Sequence, residues 1–388
     1  MPLPRLTNSD IIALTDLRHT LHRAPEVSGQ EAGTAAHIAA VLRDLRPDQV
    51  LTGLGGHGVA AIWNGAADGP TVLLRCELDA LPITETGRPD WVSQVPGVAH
   101  LCGHDGHMAM LTGVARLLSR QPPLRGRVVL MYQPAEEDGA GARAVVADAR
   151  YAALRPDWAF AIHNFPGLPF GHVLVTDGPV NCASRGMKVA LHGRTAHASQ
   201  PETGTSPAHA LARLMPTLTA LSGGTVTDAD FRLATVTHAR LGEPAFGIAP
   251  GAAELWVTLR SRVDSGMAGM IAAAEALVGD VAAAEHLGHD ISYHDIFDHC
   301  DNDAEAVAHI TAAAQAMGLT HSADGLPMRG SEDFGQFGKA GARAAMLFLG
   351  AGAIADLHNP DYDFPDDLIP KGTGIFVEIL RSVGVWAA

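Results

Sequence analysis

The strongest constraint on the fold is an alternation of helical patterns with short apolar runs. Apolar residues recur at helical spacing in three early segments, 9–23, 31–45 and 106–119. Short runs rich in Val, Ile and Leu occupy segments 58–63, 71–78, 127–132 and 158–162. Such alternation is typical of an α/β domain, in which helices cover a mostly parallel sheet. We therefore expect the short runs to be buried strands.

A different pattern interrupts this alternation in the middle of the chain. Strand and helix patterns follow in the order β-α-β-β-α-β, at residues 186–191, 207–221, 232–240, 252–262, 266–286 and 290–296. That order is the order of a ferredoxin-like α+β unit. The α/β pattern then resumes with a helix at 303–317, a strand at 344–349 and a helix after Pro370. The sequence therefore predicts a discontinuous large domain, residues 1–182 and 297–388, with an inserted domain at 183–296.

Composition excludes several classes of function. With 47% hydrophobic and 18% charged residues in 388, the chain can bury a large core. A formal net charge of -15 without a Lys/Arg cluster argues against nucleic-acid or anionic-membrane binding. No uninterrupted run of about 18 apolar residues occurs, and the first residues lack the basic and apolar regions of a secretory signal. We therefore expect a cytoplasmic protein with no nucleic-acid or membrane partner.

The densest group of chemically active side chains is the segment His100–His107, which reads HLCGHDGH. It precedes a predicted helix, and in open α/β sheets such loops at the carboxyl ends of strands bind ligands. Thiolate and imidazole bind Zn²⁺ well, and Cys102 and His104 can face one site. The alternative for His107 and Asp105 is that they are polar residues of the first helical turn, where Asp105 suits the helix dipole.

Two adjacent carboxylates, Glu136 and Glu137, follow the strand predicted at 127–132. Adjacent residues can point to different partners, so one carboxylate could ligate a metal while the other deprotonates water, as metal-assisted hydrolysis requires. The alternative is a solvated acidic turn. Two single histidines complete the candidates, His163 at the end of a predicted strand and His358 in a loop. Alone, neither histidine distinguishes a ligand from a structural residue.

Other known motifs fail on context or are missing from the sequence. The segment 53–58 has the glycine spacing of a dinucleotide-binding loop, but a strand pattern follows it where a helix would be required. We expect a glycine-rich hairpin there. Neither G-x-S-x-G nor H-E-x-x-H occurs, which argues against a serine hydrolase and against the commonest zinc proteases.

Taken in order, the candidate segments resemble the M20 metallopeptidase-type amidohydrolases, in the branch of hippurate hydrolases, N-acyl-amino-acid amidohydrolases and plant auxin-conjugate hydrolases. The resemblance covers nearly the whole chain and runs through LRCELDALPI (74–83), HLCGHDGH (100–107), QPAEE (133–137), His163, GRTAH (193–197), GSEDF (330–334) and Leu357-His358. It implies a zinc-peptidase-like catalytic domain in the two outer segments. The insert, 183–296, would be a lid and dimerisation domain.

The resemblance also implies two divalent metal ions per subunit. Their ligands would be five side chains, Cys102, His104, Glu137, His163 and His358, with Cys102 as a bridging thiolate. Zinc is the first expectation, and manganese, cobalt and nickel accept the same ligand set. Glu136 would be the general base, which takes a proton from the attacking water and passes it to the leaving amine. Asp79 would orient a ligand imidazole or the base.

Three further residues are expected to act on the substrate. His197 would polarise the substrate carbonyl, often in the partner subunit's site, which predicts a homodimer or dimer of dimers through the insert. A hinge is expected near Gly178 and Ile296. Arg260 would hold the amino-acid carboxylate through a bidentate contact, although a surface strand residue is the alternative. Gly330 is the third expected substrate contact.

The implied activity is hydrolysis of N-acyl amino acids, small-molecule substrates, to a carboxylic acid and a free amino acid. The alternatives are a dipeptidase or carboxypeptidase that uses the same site, or a metal-binding protein without catalysis. The chain departs from the family pattern at Cys76 (usually Ala), Glu77 (Asp), Ser206 (Asp) and Gly247 (Asn). Because the Asn contacts substrate in relatives, Gly247 predicts altered recognition of the amino acid.

Overall fold

The computed structural model describes residues 3–386. The helices are α1 (Asn8–Arg23), α2 (Ala32–Asp44), α3 (His104–Arg120), α4 (Gly141–Ala147), α5 (Ala208–Thr219), α6 (Asp264–Ala284), α7 (Ala304–Ala316), α8 (Gly335–Lys339) and α9 (Leu368–Val383), with 3₁₀ turns at Ala149–Ala153 and Pro201–Thr203. The strands are β1 (Gln49–Leu54), β2 (Gly58–Asn64), β3 (Ala67–Glu77), β4 (Arg125–Gln133), β5 (Trp158–Pro166), β6 (Val173–Leu174), β7 (Gly178–Asn181), β8 (Ala183–His192), β9 (Ala196–His197), β10 (Arg232–Leu241), β11 (Ile248–Ala249), β12 (Ala252–Ser261), β13 (Gly288–Phe297), β14 (Cys300–Asn302), β15 (His321–Ser322) and β16 (Arg343–Gly352).

The chain divides into two compact units. The first unit contains the described residues up to Val180, then Asp301–Gly325 and those from Asp333 onward. The second unit contains Asn181–Cys300 and Leu326–Glu332. It therefore differs from the expected insert, 183–296, because it takes a short segment from what was expected to be the large domain. The reason is local, since the Cys182 N–H donates to the carbonyls of Met328 at 3.2 Å and Gly330 at 3.1 Å.

An eight-stranded sheet forms the centre of the first unit, in the order β1-β2-β4-β3-β5-β16-β6-β15. Its four central strands, β4, β3, β5 and β16, run parallel to one another. Their apolar stretches are buried along their length, as expected for parallel strands covered on both faces. The predicted α/β fold with a mostly parallel central sheet is thus confirmed, and the carboxyl ends of these four strands lie at one edge of the sheet.

Two details of the first unit bear on the motifs. The glycine-rich segment 53–58 is a hairpin, because β1 and β2 pair antiparallel around it. Helix α3 begins at His104, two residues earlier than the pattern indicates. Gly103 precedes it with a φ of 91°, and a Cβ at this position would lie 2.2 Å from Oδ1 of Asn164. Only glycine fits this turn, which places Cys102 in the loop and His104 in the first turn of α3.

The second unit is a four-stranded antiparallel sheet in the order β10-β12-β8-β13, with α5 and α6 packed on it. Alternate residues of β8 and β12, such as Val189, Leu191, Leu255 and Val257, are buried in its core, as expected for a sheet covered on one face. Strand β8, helix α5, strands β10 and β12, helix α6 and strand β13 follow in the predicted order. A small arm was not predicted, in which β9 pairs antiparallel with β11 and places His197 opposite Ile248.

Helix α6 is long and apolar enough to cross a membrane by length and composition. It has 21 residues, its best window has a mean hydropathy of 1.5, and 33% of that window is buried. The sequence pattern does not reveal this, because Glu275 and Asp280 interrupt the apolar run. The buried stripe of α6, which includes Met267, Ala274 and Val278, packs on the sheet of the second unit. The apolar side chains of this stripe are therefore part of a protein core.

Candidate metal centre

The predicted metal ligands come from loops at the carboxyl edge of the sheet in the first unit. His163 lies near the end of β5, and Glu137 follows β4. Cys102 and His104 lie at the start of α3, and His358 lies in the loop after β16. Parallel strands end at a common edge, which is where ligands bind in open α/β sheets. The topology of the sheet therefore brings together side chains that are up to 256 residues apart.

Cys102, His104 and His163 form the first group of possible ligands. One ligand atom from each residue lies within 4.8 Å of the others. The Cys102 Sγ atom is 3.4 Å from Nε2 of His163. All three side chains are buried. A thiol and two imidazoles arranged in this way are a donor set that suits Zn²⁺ and other borderline-soft divalent metals.

Cys102 also belongs to a second group, with Glu137 and His358, whose ligand atoms again lie within 4.8 Å. Nε2 of His358 is 3.6 Å from a carboxylate oxygen of Glu137, and Nε2 of His104 is 3.8 Å from the other oxygen. His358 has a φ of 65°, a backbone conformation that is uncommon for a residue with a Cβ. Its N–H donates to the Leu101 carbonyl at 2.8 Å, which fixes the loop beside Cys102.

Hydrogen bonds donated by the Nδ1 atoms orient the rings of two of the histidines. Nδ1 of His104 donates to the Asp79 carbonyl at 2.8 Å, and Nδ1 of His163 donates to the Asn164 carbonyl at 2.7 Å. Nε2 of each ring therefore faces the cluster. Nε2 of His104 is buried and has no hydrogen-bond partner among residues 3–386. A buried imidazole nitrogen without a hydrogen-bond partner suits a metal ligand. Histidines that bind metals usually donate a hydrogen bond from their other ring nitrogen, as His104 does here.

The charges of the centre favour a cation. Burial alone would lower the pKa of His104, but the Asp79 carboxylate, 3.4 Å from Nδ1, and the charges of Glu77 and Glu137 raise it to about 10. Burial and the charges of Glu137 and Glu136 raise the pKa of the Cys102 thiol well above its ordinary value. Without a metal, both groups hold protons at neutral pH. A divalent cation that binds here would displace these protons, and its positive charge would take their place.

Asp79 connects the ligand side chains to the loop that carries the two glutamates. One of its carboxylate oxygens accepts hydrogen bonds from the Ser28 hydroxyl at 2.7 Å and from the Glu137 N–H at 3.0 Å. Glu136 is 5% exposed, and its carboxylate lies within 4.8 Å of ligand atoms of His104 and Glu137. The structure thus places Asp79, Glu136 and all five predicted ligands in one cluster of the first unit.

Two other polar residues of the segment 100–107, Asp105 and His107, have structural partners. Asp105 accepts hydrogen bonds from Nε of Arg18 and Nδ1 of His22, both at 2.8 Å, so it does more than suit the dipole of α3. Nδ1 of His107 lies 2.6 Å from Glu77, and its Nε2 lies 2.7 Å from Oδ1 of Asn164. Both nitrogens of His107 are therefore engaged by protein. Arg18 and His22 are four residues apart on α1, and that helical spacing was the only signal for them in the sequence.

The three predicted substrate contacts belong to the second unit. His197 is exposed, and its Nδ1 accepts hydrogen bonds from the N–H and hydroxyl of Ser199 at 3.1 and 2.7 Å. Arg260 donates to the Arg329 carbonyl at 2.9 Å and to the Ser331 hydroxyl at 3.0 Å. Both acceptors are neutral, and burial lowers the pKa of Arg260. Gly330 is exposed, and its carbonyl accepts from Cys182.

Comparison with known proteins adds the family. The family model described as "Peptidase family M20/M25/M40" matches residues 73–382. An N-acetyl-L-cysteine deacetylase of Bacillus subtilis is 30% identical over 377 residues, which cover 95% of this chain and 88% of the deacetylase. A protein of Arabidopsis thaliana named IAA-amino acid hydrolase ILR1-like 5 is 24% identical over 383 residues, or 94% of this chain and 85% of that protein.

Among solved structures, a Bacillus subtilis protein described as a dinuclear metal-binding peptidase of the M20 family has a similar fold. Its TM-score is 0.78 at 24% sequence identity, with 97% of this chain and 98% of that chain covered. The matched region contains the candidate ligands from Cys102 to His358. The chain therefore belongs to the M20 peptidase family, in the branch of N-acyl-amino-acid and auxin-conjugate hydrolases, and is a hydrolase that acts on amide bonds.

Proposed function

We propose that the protein is a metal-dependent aminoacylase, which hydrolyses N-acyl amino acids to a carboxylic acid and a free amino acid. The observation that carries this proposal is the position of Cys102 in two overlapping groups of ligand atoms, one with His104 and His163 and one with Glu137 and His358. Two sets that share a thiolate fit two cations in one centre. The carboxylate of Glu136 beside them gives the centre a base, which a protein that only binds metal would not need.

The proposed ligands are Cys102, His104, Glu137, His163 and His358, with Cys102 shared. Zinc is the first candidate, because thiolate, imidazole and carboxylate are its usual ligands; manganese, cobalt and nickel accept the same set. Two bound cations would acidify a water molecule and polarise the amide carbonyl. Asp79 holds the His104 ring and the Glu137 N–H in place, as residues behind metal ligands commonly do.

Glu136 is the proposed general base. Its carboxylate takes a proton from water as the water oxygen bonds to the amide carbon, and returns the proton to the amine nitrogen as the C–N bond breaks. Atoms and charge balance, since one water is divided between the acid and the amine. Glu136 is 5% exposed, so little bulk water contacts its side chain.

The second unit supplies the proposed substrate contacts. Among residues 3–386, the acceptors of Arg260 are neutral, so its charge remains available for the carboxylate of an amino acid, which a guanidinium binds in a bidentate manner. His197 is held through Nδ1, which leaves Nε2 to donate to a substrate carbonyl. We further propose that residues 183–296 form a lid and dimerisation domain, and that the protein is a cytoplasmic homodimer. Gly330 is the third proposed substrate contact.

The test is hydrolysis by chelator-stripped protein of a panel of N-acetyl, N-benzoyl and long-chain N-acyl amino acids, together with dipeptides. Each compound is measured with and without added Zn²⁺ or Mn²⁺, and free amino acid is detected. We expect release from N-acyl amino acids only after metal is returned. The matching carboxamides, in which the amino-acid carboxylate is neutralised, are expected to be poor substrates because Arg260 loses its partner.

Two results would contradict the proposal. Turnover of dipeptides alone would assign the centre to a peptidase, because the acyl group of a dipeptide carries a free α-amine that an N-acetyl or N-benzoyl amino acid lacks. Release without metal would remove the metals from the mechanism altogether.

A further inference from the structure

The loop between α1 and α2, residues Glu26–Glu31, contacts both segments that carry the proposed catalytic carboxylates. The Glu26 carbonyl accepts from the Ala80 N–H at 2.8 Å, and Val27 forms a parallel bridge with Ala80. The Ser28 hydroxyl donates to Asp79 at 2.7 Å. This α1–α2 loop has no part in the motifs that carry the family resemblance. It nevertheless lies directly behind Asp79.

Glu31 connects the same loop to the segment that carries Glu136 and Glu137. Oε1 of Glu31 accepts hydrogen bonds from the N–H groups of Gly29 and Ala135, both at 2.8 Å. The side chain is fully buried, at 0% exposure. One oxygen atom therefore joins the α1–α2 loop to the residue that immediately precedes the proposed base.

Ala135 needs this support because its backbone conformation is unfavourable. Its φ is 49°, in the left-handed region, where the Cβ of an alanine crowds the following carbonyl oxygen. The loop closes on itself tightly, since a Cβ on Gly141 would lie 1.6 Å from the Pro134 carbonyl oxygen. The dihedral angles of Ala135 set the direction in which Glu136 and Glu137 leave the sheet. A contact that holds Ala135 therefore holds both carboxylates.

We propose that Glu31 is a positioning residue for the metal centre, which acts by accepting the Ala135 N–H. This inference rests on the proposed function, because it assigns Glu31 to the loop of the base and of one metal ligand. The contact requires an acceptor oxygen at Oε1 rather than a second charged atom. Oε2 of Glu31 is buried with no hydrogen-bond partner in the described part of the chain.

Two substitutions separate the acceptor from the charge. Glu31→Gln keeps an amide oxygen for Ala135 and removes the charge, whereas Glu31→Met keeps the length of the side chain and removes the acceptor. Glu26→Met is the matched control. The Glu26 carboxylate accepts from Gly33 and from the N–H and hydroxyl of Thr34, at the start of α2, and not from the loop of Glu136.

The measurements are zinc affinity by competition with a chelator, melting temperature, and kcat and KM at saturating zinc. For Glu31→Met we expect zinc affinity to fall about tenfold to 100-fold, as for other residues behind metal ligands. We expect its kcat to fall by a similar factor, because small displacements of a catalytic group are costly, while KM changes little. Glu31→Gln and Glu26→Met should stay within about threefold of the wild type on both measures, and Glu26→Met should melt at a lower temperature because it loses a helix cap.

Equal losses in Glu31→Met and Glu26→Met would overturn the inference, since they would report stability alone. Wild-type zinc affinity in Glu31→Met would also overturn it. If Glu31→Met does not fold, Glu31→Asp gives the same test. Its side chain keeps the charge but is one methylene shorter, so its carboxylate no longer reaches the Ala135 N–H. Unchanged zinc affinity in Glu31→Asp would count against the inference. A wild-type protein that binds zinc but cleaves no amide would reject the proposed function, while the zinc affinities still decide the role of Glu31.

Discussion

The candidate metal centre and the candidate substrate contacts differ in how firmly their own unit holds them. Cys102, His104 and His163 are buried, and both imidazoles are fixed by hydrogen bonds to backbone carbonyls. His197, in contrast, is exposed on a two-residue strand, and Ser199 of the same arm is its hydrogen-bond partner. Arg260 is half-buried and donates to neutral acceptors.

The roles proposed for the two groups of residues follow this difference. Three of the five proposed ligands, Cys102, His104 and His163, are buried, whereas His358 is exposed. Side chains that are fixed by a second layer of contacts are ready to bind before substrate arrives. Exposed side chains commonly change their rotamers when a substrate or another subunit binds. Substitutions in the first unit should therefore change metal binding or chemistry. Substitutions in the second unit should change catalysis without changing the metal content.

The sharpest test within the first unit is Glu136→Gln. We expect kcat to fall about 10²–10⁴-fold, the usual contribution of a general base, while metal content stays at the wild-type level. Glu137→Gln is the matched control on the same loop, and it should lose metal as well as activity. If Glu136→Gln keeps its activity, the two adjacent carboxylates do not divide the work as proposed.

In the second unit, His197→Ala should lower kcat about 10²-fold, as does removal of an oxyanion-stabilising donor in other enzymes. Zinc affinity should not change, because His197 is not one of the proposed metal ligands. His192→Ala is the control, since His192 is also an exposed histidine of the second unit, with Asp290 as its partner at 2.9 Å. Loss of zinc in His197→Ala would break the division between the units.

A smaller effect is expected from pH on zinc affinity. In the metal-free protein the pKa of His104 is raised to about 10 and the pKa of Cys102 is raised well above its ordinary value. Zinc must displace both protons, so affinity should rise with pH, by about tenfold per unit for each proton released. Titration calorimetry between about pH 6 and pH 8 measures this slope. In Cys102→Ala, one proton fewer should be released per bound zinc, so the slope should be smaller. A zinc affinity that does not depend on pH would contradict the assignment of both ligands.

The sequence motifs were sufficient to predict the family, the central sheet and the residues that form the cluster. HLCGHDGH and QPAEE are local, and each lies where a predicted strand or helix meets a loop, so their placement at the sheet edge follows from topology. The start of α3 was misplaced by two residues because Gly103 allows a turn that the apolar pattern does not record.

The contacts behind the centre could not be predicted, because they join distant segments through single atoms. Glu31 and Ala135 are 104 residues apart, and Arg18 and Asp105 are 87 residues apart. The spacing of the two residues in each pair gives no sign that they are in contact. The left-handed conformation at position 135 could not be predicted either, because the residue is an alanine and not a glycine. Such contacts depend on tertiary structure, which hydrophobic periodicity does not encode.

The most direct test of the metal centre is the number of zinc ions bound per chain, measured by mass spectrometry after zinc loading and removal of excess metal. We predict two ions for the wild type, and at most one for Cys102→Ala, because both groups of ligands share this thiolate. Cys182→Ala, which replaces a cysteine of the second unit, should still bind two. One ion or none in the wild type, or two ions in Cys102→Ala, would contradict a centre built around a shared Cys102.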